Sequence, residues 1–160
     1  IKLVGLDESY LDKSPFELSG GEMRKVALCG VLALEPKVLI LDEPTVALDY
    51  QSREEIMATV KRLKEEFDMT IVLVTHNMDY VLEYADKVFV LKNGEISFEG
   101  KVEDLFLNEQ VLKENSLELP GVLKFYKKLE ANNIVLDVFP RKYEELINAL
   151  KNKIGSSRNE

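Results

Sequence analysis

Short blocks of consecutive apolar residues, each bounded by turn-forming or charged residues, recur along the first hundred positions of the chain. Val38–Leu41 and Thr70–Val74 have the pattern of strands that are buried on both faces, as in a parallel sheet. Lys87–Leu91 and Glu95–Phe98 predict two further strands, and Asn93-Gly94 between them is a strong signal for a two-residue hairpin turn. We therefore expect four strands, the last two joined as a hairpin.

The segments between these strands carry apolar residues at helical spacing. They predict a helix from about Gly21 to Leu34, which Pro36 ends, a second helix over Ser52–Phe67 and a short third helix over about Asp79–Tyr84. We expect Met23 and Cys29 to pack in the core. The alternation of strands and helices is typical of an α/β fold with a mainly parallel sheet.

The two ends of the chain have a different character. Residues 109–155 are helix-rich, with Pro120 opening one helix and Tyr143–Leu150 forming another, which predicts a small helical extension. Residues 156–160 predict a disordered tail. Residues 1–6 have the pattern of the end of a helix and do not begin with Met, so we expect the chain to start inside a domain.

Composition and charge narrow the possible classes of protein. The 160 residues are 46% hydrophobic and 31% charged, as in ordinary soluble globular proteins. A net charge of -8 argues against a nucleic-acid binder but not against a nucleotide site, which needs only local donors. A single cysteine cannot form an internal disulfide and favours a reducing compartment. No apolar run reaches the roughly 18 residues needed to cross a bilayer, so any membrane role is expected to be peripheral.

A candidate anion site lies at the predicted start of the first helix, where Ser19 precedes Gly20 and Gly21. Glycines let a ligand approach the backbone, and the first-turn N–H groups and the helix dipole favour negative charge. Ser19 and Glu22 also have the spacing of a capping box. Taken alone, the motif is equally consistent with an ordinary capped helix start.

Asp42 and Glu43 follow the first buried strand directly. The carboxyl ends of parallel strands are where α/β folds place ligands. An acid in this position can hold Mg²⁺, and its neighbour can orient and deprotonate a water. The alternative is a solvated pair of acids at the end of a strand, which the nearby candidate anion site makes the weaker interpretation.

His76, the only histidine, follows the second buried strand, so we expect it to lie near Asp42 and Glu43 at the same sheet edge. Its imidazole could bond a γ-phosphate oxygen; the alternative is an exposed loop histidine without a role. Asp49 precedes the second helix and could simply cap it.

Four short motifs resemble, in the right order and with compatible spacing, the signature, Walker B, D-loop and H-loop motifs of the ATP-binding subunits of ABC transporters. They are Leu18–Glu22, Ile40–Thr45, Ala47–Asp49 and Thr75-His76. The resemblance covers roughly residues 14–106 and implies a partial P-loop NTPase fold. It implies that residues 1–108 are the C-terminal part of the nucleotide-binding domain, with residues 109–155 as an appended extension.

The resemblance implies ATP and Mg²⁺ as cofactors and an enzymatic role, ATP hydrolysis. Asp42 would hold Mg²⁺, Glu43 would be the general base for the attacking water, and His76 would contact the γ-phosphate. The water would attack that phosphate in line with the leaving group.

The same resemblance implies that a second site is shared with another subunit. The signature residues Ser19, Gly20, Gly21 and Glu22 would contact ATP bound mainly on the opposite subunit. Asp49 would link the two sites across the dimer.

A narrower resemblance is to the ATPases of energy-coupling-factor (ECF) importers, which take up vitamins or transition metals. Ser14–Leu18 and Arg24-Lys25 carry it. It implies a second ATPase subunit, a transmembrane coupling subunit and a substrate-binding membrane subunit as partners, no nucleic acid, and a peripheral place on the cytoplasmic face of the membrane. Ala47 and Tyr50 depart from the family, which usually has Gly and Pro there.

A Walker A loop, which cradles the β- and γ-phosphates, is absent from the sequence. The only Gly-Lys pair, Gly100-Lys101, is followed by Val102 instead of Ser or Thr. We expect the N-terminal part of the domain to be missing and this fragment to be inactive by itself. Two alternatives stay open: a DNA-repair or chromosome-organising ATPase of the same superfamily, disfavoured by the acidic charge and the lack of heptads, and a non-catalytic half-domain that mediates interactions.

Overall fold

The structure, a computed structural model, describes residues 1–156, and the chain packs as two compact units. The first runs from Ile1 to His76 and the second begins at Asn77. This division concerns packing alone. The predicted division into residues 1–108 and 109–155 concerns a family domain and its extension, and it stays a prediction.

The first unit contains two helices and two strands in alternation. They are α1 (Gly20–Leu32), β1 (Val38–Asp42), α2 (Tyr50–Phe67) and β2 (Thr70–Val74). β1 and β2 pair in parallel, with Val38 opposite Thr70 and Asp42 opposite Val74. Both predicted strands and both predicted helices are therefore confirmed, with helix bounds shifted by one or two residues.

Before α1 the chain forms three short 3₁₀ turns instead of regular structure. The predicted helix end over residues 1–6 is one such turn, Lys2–Val4, and Gly5 follows it with φ +76. The predicted helical segment is therefore present as a single 3₁₀ turn, which the left-handed backbone at Gly5 ends.

The parallel sheet is buried on one face only, so the prediction of strands buried on both faces is wrong. Leu39 is 3% exposed, whereas Ile40 beside it is 67% exposed. Side chains alternate between the faces of a strand, and within the described part of the chain the helices cover one face. Val72 and Val74 of β2 likewise stay nearly half exposed.

α1 also turns a different face inward from the one its apolar residues suggest. Met23, which was predicted to be core, is 48% exposed, and the buried positions of the helix are Gly21, Lys25 and Leu28. Cys29 is partly buried and packs against the apolar cluster around Leu28. The core prediction is therefore wrong for Met23, because its helix packs through a glycine and a lysine.

The second unit contains one short helix, a hairpin and four further helices. They are α3 (Met78–Tyr84), β3 (Lys87–Lys92), β4 (Glu95–Lys101), α4 (Val102–Leu107), α5 (Glu109–Glu114), α6 (Gly121–Ala131) and α7 (Tyr143–Ser156). Asn93 and Gly94 both have positive φ, 54° and 82°, as the tight hairpin turn requires. The hairpin and the helix after Pro120 are confirmed, and the third strand pairs antiparallel with β4.

A single apolar cluster forms the core of the second unit. Val102, Leu105 and Phe106 of α4 are completely buried, and Leu123 and Leu146 from α6 and α7 pack in the same cluster. Of the predicted tail over residues 156–160, Ser156 ends α7 and the rest lies outside the described residues. Within the described range, no helix is both long and apolar enough to cross a membrane.

Candidate functional site

Glu43 is held in an unusual backbone conformation at the end of β1. Its N–H donates to the carbonyl of Val74 at the end of β2, at 2.9 Å. Its φ is +44°, in the left-handed region that non-glycine residues rarely adopt. This bond and this turn hold Glu43 at the carboxyl ends of β1 and β2, where the sequence predicts a ligand site.

The Glu43 carboxylate contacts the residues that follow β2. Oε1 accepts from the backbone N–H of His76 at 3.0 Å and lies 2.5 Å from Nδ1 of the same residue. Oε2 is 3.5 Å from the Thr75 hydroxyl. The His76 side chain is 82% exposed and that of Glu43 31% exposed. The expected proximity of the acid and the histidine is confirmed, and the contact leaves Oε2 the less engaged oxygen.

Asp42 lies on the same edge with an exposed side chain. Residues 1–156 contain no group of three His, Cys, Asp or Glu side chains arranged to hold a metal ion. Mg²⁺ usually keeps several waters and takes one or two carboxylates together with phosphate oxygens. An accessible carboxylate at Asp42 fits that kind of partial coordination, so the residues present are compatible with a nucleotide-bound Mg²⁺.

The signature segment forms the predicted capping box at the start of α1. Ser19 Oγ accepts from the Glu22 N–H at 3.3 Å, and Glu22 Oε2 accepts from the Ser19 N–H at 2.7 Å. The Tyr10 hydroxyl donates to Glu22 Oε1 at 2.5 Å. Chiefly this bond, and next the one from Ser19, lowers the pKa of Glu22 to about 2. Glu22 is therefore an ionised capping residue with both oxygens engaged, and Tyr10 is a partner that no sequence signal indicated.

The two glycines of the signature have different surroundings. A Cβ built on Gly21 would lie 2.7 Å from Ser52 Oγ, whereas one on Gly20 would find only Leu48 Cδ2, at 3.8 Å. Gly21 thus permits the close approach of α1 to the start of α2. Ser19 and Gly20 are exposed and free of that packing constraint.

Asp49 caps α2, as one of its two sequence interpretations predicts. It accepts from the Ser52 N–H at 2.9 Å and from the Ser52 hydroxyl at 2.7 Å. These two bonds lower the pKa of the Asp49 carboxyl. Because Ser52 also abuts Gly21, one small residue joins the D-loop acid to the signature glycine, beside a polar cleft of about 380 Å³.

Two basic residues of α1 have structural contacts that the sequence did not reveal. Arg24 Nη1 donates to the carbonyl oxygen of Glu43 at 3.2 Å and to that of Pro44. Lys25 is 7% exposed and forms an ion pair with Glu55 of α2. The sequence marked these two residues only through their part in the narrower family resemblance and their position as charged residues on a largely apolar helix.

Ala47, one of the two departures from the family pattern, has φ +62°. This is the left-handed region where glycine carries no steric cost. The loop therefore keeps the backbone conformation that a glycine would favour, although the residue is alanine.

Comparisons with known proteins bear on the family and the fold of the chain. The family model for the ABC transporter matches residues 1–46. The chain is 49% identical over 96% of its length to the energy-coupling factor transporter ATP-binding protein EcfA2 of Enterococcus faecalis, of which it covers 53%. It is 45% identical over 99% of its length to EcfA2 of Ligilactobacillus salivarius, of which it covers 55%.

Two solved structures share the fold. The first is cbiO1 from Clostridium perfringens, part of the ABC transporter complex cbiONQ. It is 39% identical with a TM-score of 0.62, over 79% of this chain and 50% of that one. The second is the dimeric ATP-binding cassette MJ0796 bound to ADP and Pi, which is 37% identical with a TM-score of 0.55, over 63% and 43%.

The solved structures that share this fold are ABC ATPase cassettes, so the predicted fold class is confirmed. Within that class the chain is similar to EcfA2 along nearly all of its length, which confirms the predicted likeness to ECF transporter ATPases. The chain spans about half the length of the curated relatives it matches. These relatives give no support to a DNA-repair or chromosome-organising ATPase.

Proposed function

We propose that the protein carrying this chain binds and hydrolyses ATP as the ATPase subunit of an ECF-type ABC transporter and powers the import of a micronutrient, a vitamin or a transition metal. The observation that carries the proposal is the Glu43 carboxylate, fixed at the sheet edge by His76 next to the accessible Asp42. The likeness to EcfA2 supports the transporter class.

In this proposal Glu43 is the general base. Its Oε1 is engaged by His76, so the less engaged Oε2 is the oxygen that takes the proton from water. Asp42 holds Mg²⁺, and the exposed imidazole of His76 reaches a γ-phosphate oxygen. When bound, ATP and Mg²⁺ supply the phosphoryl group and neutralise the charge that develops on it.

The signature residues act on a nucleotide held mainly by a second ATPase subunit. Ser19 and Gly20 are exposed at a helix N-terminus, whose N–H groups favour phosphate. The Ser19 oxygen accepts the capping bond, so its hydroxyl hydrogen can still donate to an anion. Gly21 and Glu22 shape this helix start, and Asp49 lies beside it to link the two sites.

The proposed partners follow the same resemblance: a second ATPase subunit, a transmembrane coupling subunit and a substrate-binding membrane subunit, at the cytoplasmic face of the membrane. The dimeric state named for MJ0796 and the complex named for cbiO1 support an assembly of this kind. Residues 1–108 would belong to the nucleotide-binding domain and residues 109–155 to its extension.

The test is Glu43→Gln in the full-length protein, assembled with its partners. We expect ATP affinity to be retained and turnover to fall by roughly 10²- to 10⁴-fold, because the amide cannot accept the proton. ATP binding and phosphate release are the measurements. The matched control is Glu65→Gln on α2, the same chemical change at an exposed side chain whose ion pair with Lys61 is 3.8 Å long. Near-normal turnover in Glu43→Gln would refute the general-base role, and a wild type that binds ATP without turnover would favour the non-catalytic alternative.

A further inference from the structure

We propose that Arg24 is a positioning residue that fixes the Glu43 carboxylate for catalysis and transmits the orientation of α1 to it. This inference rests on the proposed function, because it assigns Arg24 a part in the turnover that Glu43 would perform. The hydrogen bonds of Arg24 go to the backbone carbonyls of Glu43 and Pro44, so its proposed effect passes through the acid.

The evidence begins with the strain at Glu43. A left-handed backbone is unfavourable for a residue with a Cβ, and it persists only where surrounding bonds determine it. At Glu43 the amide is held from one side, by the Val74 carbonyl at 2.9 Å. On the other side, Arg24 Nη1 binds the carbonyl oxygens of Glu43 and Pro44. The strained residue is thus held at both ends, by β2 and by α1.

The chemistry of arginine suits this task. Its guanidinium stays charged and planar, and its N–H groups have fixed directions, so one nitrogen can bridge two successive carbonyl oxygens. Hydrogen bonds from a charged donor are shorter and stronger than neutral ones. Arg24 is also half-buried, which lessens competition from water.

Helix α1 carries both the signature segment, at its start, and Arg24. α1 begins directly after Ser19, and Arg24 lies within its first two turns, so the two move as parts of one rigid element. Contact of the signature segment with a nucleotide on the other subunit would set the orientation of α1. Through Arg24 that orientation would decide whether the Glu43–Pro44 peptide, and therefore the carboxylate, is in its working position.

The competing explanation is a tether that only stabilises the fold. Kinetics in the full-length, assembled protein distinguish the two. We expect Arg24→Met to lower kcat by roughly 10- to 100-fold, the cost of a misplaced catalytic group, with the KM for ATP unchanged. Arg24→Lys keeps a charged donor and should recover part of that loss. Arg62→Met is the matched control: another half-buried arginine of the first unit, in the middle of α2, whose Nε makes no hydrogen bond.

A double-mutant cycle gives the decisive readout. If Arg24 acts through Glu43, its loss should matter little once the carboxylate is gone. Adding Arg24→Met to Glu43→Gln should then change the rate of single-turnover hydrolysis by less than about twofold, which is the usual scatter of such cycles. A fold-only tether predicts the same loss in both backgrounds, and that result would overturn the proposal. So would a normal kcat in Arg24→Met.

The failure of this proposal can be told apart from the failure of the proposed function. If the wild type shows no turnover, or if Glu43→Gln hydrolyses normally, the proposed function itself fails. If the wild type is active and Glu43→Gln is impaired, the proposed function stands, and a normal kcat in Arg24→Met then counts against the role of Arg24 alone. Should Arg24→Met unfold, Arg24→Lys takes its place in the cycle.

Discussion

The two units of the chain differ in the kinds of side chain that are buried inside each of them. In the second unit one apolar cluster surrounds the fully buried Phe106. In the first unit the apolar residues divide into two smaller clusters, and the polar or charged residues Lys25, Thr45 and Thr59 are buried as well. Within the described residues, these buried polar side chains all belong to the unit with the proposed chemistry.

This difference has a physical reason. Apolar burial is strong but non-directional, so it stabilises a unit without fixing any one atom closely. Hydrogen bonds and ion pairs have preferred geometries and can hold a carboxylate or a helix start in place. Two directional hydrogen bonds of this type run from Arg24 to the Glu43 backbone and from Ser52 to Asp49.

The largest effect that tests this contrast is in the apolar core. Phe106→Ala should lower the free energy of unfolding by about 3–5 kcal/mol, because a fully buried ring leaves a cavity. Phe67→Ala, the same change at a side chain that is 53% exposed at the end of α2, should cost no more than about 1 kcal/mol. Urea unfolding measures both, and equal costs would contradict the role of Phe106 as the buried centre of the second unit's core.

A medium effect tests the tight polar packing of the first unit. Gly21→Ala places a methyl 2.7 Å from a Ser52 hydroxyl that is already bonded to Asp49. It should therefore destabilise by about 1–3 kcal/mol relative to Gly20→Ala, where the new methyl has room. Thermal unfolding of the two variants gives the comparison. If they are equally stable, the contact with Ser52 is not a constraint on the sequence.

The smallest expected effect is on the pKa of Glu22 and on the stability that its ionised carboxylate contributes. The folded-state pKa of Glu22 is lowered, so the stability it contributes is present above its ordinary pKa of 4.5 and is lost as the pH falls towards about 2. Tyr10→Phe removes the largest cause of this shift. We expect the pKa of Glu22 to move up towards 4.5 and the acid-side loss of stability in that window to shrink. NMR titration of the carboxyl group measures the pKa directly, and an unchanged value would exclude the Tyr10 bond as its cause.

Local patterns carried most of what the sequence predicted. The structure confirms several features that depend on residues close in sequence. They are the strands Val38–Leu41 and Thr70–Val74, the Asn93-Gly94 turn and the Ser19 cap. The proximity of Glu43 and His76 was also predictable, because the carboxyl ends of parallel strands lie at the same edge of a sheet.

What the sequence did not predict depends on tertiary packing. The exposed face of β1 and the exposed Met23 could not be inferred, because apolar spacing indicates a face but not what covers it. The bonds of Tyr10 to Glu22 and of Arg24 to the Glu43 loop join residues 12 and 19 positions apart through side-chain reach alone. No spacing rule connects such pairs.

Ala47 has one further consequence, for how the loop between Glu43 and Asp49 moves. A methyl group in the left-handed region raises the energy of the observed conformation, and compared with glycine it also removes many of the others that the backbone could visit. The segment is therefore less stable and less pliable than it would be with glycine. Alanine at this position therefore leaves the loop fewer alternative conformations than glycine would, while every charged group stays in place.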